Sequence, residues 1–576
     1  MIRPPHTLGR LLAVCALLAT LSAQAEISFT GLDEAQEANA RALMKLADAH
    51  CDLAQWRLDR LFRDSKRELT RALQALGYYD FSVSSTLDRD EQCWRAGFDV
   101  QLGPPVRLRE VEVLITGEAS SDAGFNALDL DNRPLEGEIL HHGKYDDYKN
   151  QILANAHSRG YFDARFERSE VLVDPDAHAA DLHMHLVSGS RYRFGEVSFT
   201  EGIIRDSLLR NYSDVRTGEP YNAEAVNELL VELNGSGYFE YVSISTEPLD
   251  RDAKTAPVSV ELSPGPRRIY SVGLGYATDT GPQGRFDFAN RRVNQRGHQL
   301  ESHMFGSEVE SELSASYRWP KLGPKKVWYS VVAGLQREET DTSDSDSFKL
   351  GLRRSYQRPD SWLETRYVEY VTEDFRIGDQ DRSSELVIFG SNWDLTRGRE
   401  VSRTLNGWRF NLDLRGASDS LGSDTSFLQA KVTGKWIHSF NDRTRLLARA
   451  RVGTTFKDEL ALLPASVRFF AGGDRSVRGY DFETLGPLDA NGEVIGGSHL
   501  LETSIEIERL VRDQWAVAAF VDRGSAFSGS DPDFSTGVGL GVRWFSPVGP
   551  VRLDLAHPLD DPDRNLRIHI SLGLDL

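Results

Sequence analysis

The chain has 576 residues, of which 40% are hydrophobic, and a formal net charge of −20. That acidity argues against a nucleic-acid partner, because phosphates select basic surfaces. Beyond the N-terminus no run reaches the roughly 18 uninterrupted apolar residues of a membrane helix, so the length implies either several exported domains or a membrane protein built from strands.

Arg3 and Arg10 precede an apolar run from Leu11 to Leu21, and Ala23-Gln24-Ala25 supplies a small-residue cleavage site. These features predict a signal peptide over 1–25 and a mature chain starting near Glu26. Cys15 lies inside the apolar run behind bulky Val14, which disfavours a lipoprotein anchor. Cys51 and Cys93 then remain. In an oxidising compartment they read as a disulfide, with two unpaired buried thiols as the alternative that sequence leaves open.

Residues 26–266 repeat one pattern three times, at a period of about 80 residues. Helical stretches at Lys66–Leu76, Tyr145–Ser158 and Ala223–Leu233 lead into Gly77-Tyr78-Tyr79, Gly160-Tyr161-Phe162 and Gly237-Tyr238-Phe239. Glycine stops a helix because it accepts positive φ, and the aromatic pair leads into a strand. Alternating segments follow at Phe98–Leu102, Leu182–Val187 and Val258–Leu262, each closed by glycine or proline. The copies resemble the POTRA domain, a periplasmic βααββ module, over 26–104, 105–188 and 189–266. His183 and His185 share one strand face, but no further ligand is near in sequence, so a solvated face is expected there and no metal site.

From Arg267 a two-residue period replaces the helical one. Ile568, Ile570, Leu572, Leu574 and Leu576 alternate with polar or minimal residues, as do Val551, Leu553 and Leu555 with Arg552, Asp554 and Ala556. A soluble sandwich also alternates. Segments of about ten residues with aromatics near their ends favour a membrane barrel over 267–576. Sixteen strands are expected, starting near Tyr270, Phe286, Gln299, Leu313, Trp328, Phe348, Trp362, Leu386, Trp408, Phe427, Arg445, Leu500, Trp515, Phe534, Val551 and Leu566. The fold class is thus α+β followed by all-β: three tandem POTRA domains and a 16-stranded transmembrane β-barrel. An even strand count leaves both barrel ends on the periplasmic side.

The connection between the eleventh and twelfth strands then opens outward, and it holds Arg468-Phe-Phe-Ala-Gly-Gly-Asp-Arg-Ser-Val-Arg-Gly-Tyr480. The period points Glu502, Ser504, Glu506 and Glu508 of the twelfth strand inward, with Phe520, Asp522 and Gly524 of the thirteenth. If the loop folds in, Arg478 meets these carboxylates away from bulk water. Arg478 is then either a structural latch or a determinant of the barrel's working conformation. A charge swap between Arg478 and Asp522 is expected to separate the two.

Ser476-Val477-Arg478-Gly479-Tyr480 resembles the VRGF/Y motif of the Omp85 superfamily, and Phe520-Val521-Asp522-Arg523-Gly524 resembles its strand motif. The resemblance implies a lumenal loop whose Arg478, Gly479 and Tyr480 dock against Glu506 and Asp522. It further implies an outer-membrane location, with the repeats in the periplasm. The implied partners are a TamB-like protein anchored in the inner membrane and spanning the periplasm, autotransporter and other β-barrel clients, and outer-membrane lipid. The chain departs from the family's common terminal aromatic by ending in Leu576.

The seam between first and last strands carries Gly273, Gly275 and Gly573, which weaken pairing or fit a crowded lumen. A seam that opens exposes an edge able to template a client strand. A passive diffusion channel and a phospholipid conduit are the competing classes. No enzyme, cofactor or metal site is expected, because the phosphate-loop, zinc and nucleophile-elbow motifs are missing. Gly537-Val-Gly-Leu-Gly541 alternates within a strand and reads as lumen lining.

Overall fold

A computed structural model describes residues 25–90, 93–126, 133–200, 202–321, 326–358, 360–398, 403–457, 459–546, 549–561 and 566–572. The targeting run and Gly573 lie outside the described residues. Two compact units make up the chain. One comprises 1–196, 217–224 and 246–257, and the other 197–216, 225–245 and 258–576.

Each repeat forms a three-stranded sheet. In the first, Glu26–Thr30 pairs parallel with Trp94–Leu102, which pairs antiparallel with Phe81–Arg89. The helix Glu34–Leu43 starts at a capping box, in which Asp33 and Gln36 each accept the other's backbone N–H. The helix Gln55–Ala75 buries Leu58, Leu69 and Leu73 with Trp94, Phe98 and Val100 of the central strand. The apolar stripe of the helix thus meets one face of the alternating strand. Cys51 and Cys93 are disulfide-bonded, tying the segment before that helix to the start of the central strand. Gly77, Gly160 and Gly237 all take positive φ, at 88°, 91° and 76°. The Tyr78 and Tyr161 amides then bond back to Leu73 and Ala156, closing the helix ends.

The second repeat orders Arg107–Thr116, Ala179–Val187 and Arg165–Asp174 around the helix His142–Ser158. His183 pairs with Glu112 at 3.0 Å, and His185 lies 3.0 Å from the Thr116 hydroxyl. Asp122 accepts from Arg159 Nε at 3.0 Å and from the Tyr161 hydroxyl at 3.1 Å. The Arg159 hydrogen bond holds the Asp122 carboxyl at about 2, against the opposing effect of burial. A carboxyl depressed in the fold stabilises it above the unfolded value of about 3.9, and that stabilisation is lost as pH falls through the folded value. Arg159→Met should therefore cost about 1.5–3 kcal/mol at pH 7, as a charge-assisted hydrogen bond does. Calorimetry of the full chain should show the gap to wild type closing between about pH 4 and pH 2.

The third sheet is ordered Arg193–Phe199, Thr255–Pro264, Phe239–Ser245. Parts of this repeat belong to the second unit and are bolted to the periplasmic turns of the barrel. Tyr238 donates to Gly297 O at 2.6 Å, Lys326 pairs with Glu232 at 2.6 Å, and Arg205 N–H donates to Gln295 O at 3.0 Å.

The barrel sheet has 16 strands in sequence order, from Arg268–Ala277 to Arg567–Leu572, each antiparallel to the next. Val272, Leu274, Ile505 and Leu540 point outward, at 74%, 83%, 59% and 68% exposure. In a soluble protein such residues would form a core; here they face lipid. The expected strand starts hold to within a few residues. The largest differences are in the second strand, which is Gly281–Asn290 against an expected start near Phe286, and in the sixth (Ser343–Gln357) and the eighth (Gln380–Arg397), which start earlier than Phe348 and Leu386. The first residues of the sixth and eighth, Ser343-Asp-Ser-Asp-Ser and Gln380-Asp-Arg-Ser-Ser, are polar on both faces. They continue the ladder past the apolar band, where alternation no longer marks a strand.

Candidate functional site

The loop between the eleventh strand (Thr444–Lys457) and the twelfth (His499–Arg512) folds into the barrel and crosses its lumen. One end is fixed on the seventh strand (Leu363–Ile377) and the eighth. Buried Glu373 accepts from Ser466 N–H at 3.1 Å, and Arg468 donates to Gln380 at 2.7 Å and to the Leu463 and Ile495 carbonyls at 2.9 Å. The other end carries Arg478 to strands twelve through sixteen.

Arg478 is 6% exposed and every arm of its guanidinium is engaged. Nε and Nη2 make a forked contact with Asp522 at 2.7 and 3.0 Å, and the Arg478 amide reaches the same carboxylate at 3.2 Å. Nη1 bridges Glu506 at 2.8 Å and Asp554 at 2.9 Å. The guanidinium carbon lies 3.4 Å from the centre of the Phe520 ring, a stacked cation–π contact. The thirteenth strand (Trp515–Phe527) supplies Phe520 and Asp522 on one face, as its two-residue period requires.

A second arginine shares the site. Arg543, on the fourteenth strand (Ser535–Ser546), donates to Glu506 at 2.7 Å and to Asp554 at 2.6 Å. Its Nε lies 3.3 Å from Glu508, which also pairs with Arg445 at 2.5 Å. Arg451 binds Glu502, and Arg449 donates to Ser476 O at 2.9 Å. Arginines 445, 451, 478 and 543 thus pair with Glu502, Glu506, Glu508, Asp522 and Asp554, with Arg449 held on the loop backbone beside them. Balanced, hydrogen-bonded charges are the condition under which a buried ionic cluster is tolerated.

The glycines of the fourteenth strand make the space. A β-carbon on Gly537 would lie 1.9 Å from the Arg478 carbonyl oxygen. One on Gly539 would meet the Phe520 ring at 2.3 Å. The lumen lining read from the sequence is therefore a seat for the loop backbone. Gly479, at φ 101°, donates its N–H to His569 Nε2 at 2.9 Å, and the buried Tyr480 donates to Thr536 O at 3.3 Å.

Arg478, Glu506 and Asp522 are brought together, with Gly479 and Tyr480 beside them. Asp554, Arg543 and His569 belong to the same cluster and were not singled out by sequence reading. The signal was present: each is the inward residue between two outward apolar ones, as Asp554 is between Leu553 and Leu555. Gly273 and Gly275 lie in the first barrel strand, away from this cluster. Among the described residues, Asp279, Asp474 and His569 place their possible ligand atoms within 4.8 Å of one another. His569 Nε2 is already engaged by Gly479 and Nδ1 by Asp474, so the trio is a hydrogen-bonded junction. Arg478 and Arg543 spend their guanidinium donors on Glu506, Asp522 and Asp554, and the cluster holds the loop against the barrel wall.

The Omp85 superfamily domain matches residues 265–576. The chain belongs to the Omp85 superfamily. Residues 26–102 match "POTRA domain TamA domain 1", and 192–265 match "Surface antigen variable number repeat", a POTRA family. This Omp85 chain is an outer-membrane barrel protein whose POTRA domains lie in the periplasm. It is 22% identical to the outer membrane protein assembly factor BamA of Nitratidesulfovibrio vulgaris, over 93% of this chain and 70% of the relative. It is 21% identical to BamA of Neisseria meningitidis, over 89% and 72%. The crystal structure of Haemophilus ducreyi BamA lacking POTRA domains 1–3 shares the fold, with a TM-score of 0.68 at 14% identity, over 81% of this chain and 99% of that one.

Proposed function

We propose that this Omp85 protein is a TamA-like outer-membrane subunit of a translocation and assembly module, promoting insertion of autotransporters and other β-barrel clients at its seam. At the coarser level, it is an outer-membrane assembly or secretion factor that works without a catalytic reaction. The POTRA match at residues 26–102 supports the TamA-like reading. A TamB-like protein spanning the periplasm is its proposed partner.

The observation that carries the reading is the seam. The first and last strands stand at opposite ends of the sheet order, with no ladder between them among the described residues. They meet through Thr278 N–H to Ile570 O at 3.2 Å and Ile570 N–H to the Thr278 hydroxyl at 3.0 Å. Gly273 and Gly275 are not forced by crowding. A β-carbon at either would come no closer than 3.7 and 3.6 Å to the nearest side chain, an ordinary contact. Their effect is to loosen the first strand, which suits an edge that parts and pairs with a client strand.

Cysteines at Thr278 and Ile570 should lock this junction. The oxidised protein, in proteoliposomes supplied with an unfolded autotransporter β-domain, is expected to lose insertion, and reduction to restore it. Wild type reduced in parallel controls for opening of Cys51–Cys93. Full insertion by the oxidised form would overturn the seam mechanism.

A further inference from the structure

The lumenal loop and the seam share one histidine. His569, on the last strand and 2% exposed, accepts from the Gly479 amide through Nε2 and donates to the Asp474 carboxylate through Nδ1. Asp474 in turn accepts from the Thr278 hydroxyl, 3.2 Å from both of its oxygens. The Asp474 amide donates to Asp279, the residue after Thr278. Thr278 and Ile570 supply the backbone junction of the seam. A continuous chain of hydrogen bonds therefore runs from the residue next to Arg478, through the last strand, to the end of the first.

We infer that His569 is a positioning residue that makes docking of the Arg478 loop and closure of the seam a single coupled state. The inference rests on the reading of the seam as a site that opens. Each ring nitrogen of His569 has a defined role, one acceptor and one donor, so the imidazole fits only when both the loop and the seam are in place. If the last strand swings away, Gly479 loses its acceptor and Asp474 its donor, and this end of the loop is left to Arg478 and the contacts of Ser476 and Tyr480. If the loop withdraws, Asp474 leaves with it and the Thr278–Ile570 junction stands without support. Seam opening and loop release thus draw on the same contacts, which is the structural requirement for coupling.

The test uses full-length protein in lipid nanodiscs and two readouts that involve no client. Spin labels at Tyr276→Cys and Ile568→Cys, both outward-facing and outside the relay, report the seam distance. Alkylation of Val477→Cys, fully buried in the docked loop, reports loop release. His569→Leu is expected to broaden the seam distance and to raise alkylation about tenfold, as loss of a charge-assisted hydrogen bond allows. His569→Gln, whose amide can accept from Gly479 and donate to Asp474, is expected to restore both. A change in one readout without the other, no change in either, or failure of Gln to restore would each overturn the coupling. Thr278→Val breaks the relay at its far end and serves if His569→Leu does not fold. A normal relay with failed client insertion would count against the assembly reading only.

Discussion

Arg478→Ala is expected to release the loop from the lumen and to cost the folded barrel about 3–5 kcal/mol, the usual result of removing one partner from a buried ion pair. The cost falls on Asp522. It is fully buried and its carboxylate is held by Arg478 through three contacts, whereas Glu506 and Asp554 keep Arg543. The unfolding midpoint of the purified barrel, read by its heat-modifiable gel mobility, should fall, and the loop should become open to protease. Adding Asp522→Asn to Arg478→Met should recover part of the loss, because no uncompensated charge then remains. The charge swap suggested by the sequence separates nothing. An aspartate at 478 would face Glu506 and Asp554 as well as the new arginine, so the swap fails even if the contact is only a latch.

Arg543→Met should cost at least as much, about 3–5 kcal/mol, yet with a different signature. Arg543 is fully buried and joins Glu506 of the twelfth strand to Asp554 of the fifteenth (Gly549–Pro558). Its removal leaves Arg478 facing three carboxylates. The loop arginine is then bound more tightly, so the loop should stay protected from protease while the barrel's thermal midpoint drops. Arg543→Lys should not rescue, since one ammonium cannot reproduce the planar fork that spans both carboxylates. Equal loop exposure in the Arg478 and Arg543 variants would show that the two arginines are not separable.

The barrel was legible because lipid enforces the two-residue period more strictly than a soluble core does. Ile505 and Val521 must face out, so Glu506 and Asp522 must face in. The same rule reaches Asp554, Arg543 and His569, but in sequence they look like isolated polar residues until sheet order brings strands twelve to sixteen side by side. The repeats were legible through Gly77, Gly160 and Gly237, where a positive φ leaves little choice of residue. The glycine stripe of the fourteenth strand was read as lining because nothing local shows that a loop some 60 residues upstream lies on it. The polar starts of the sixth and eighth strands fell short for the opposite reason: outside the bilayer the pattern that reveals a strand is no longer required.

Arg478 is made before every side chain that binds its guanidinium. Its ligands follow at separations of 28, 44, 76 and 90 residues, in Glu506, Asp522, Asp554 and, through Gly479, His569. During the protein's own maturation Arg478 gathers its three carboxylates only once the fifteenth strand is in place, and Gly479 its histidine only once the last strand has been laid down. Full docking of the loop is therefore a late event in the life of the chain, and the Gly479–His569 contact records that the last strand has arrived.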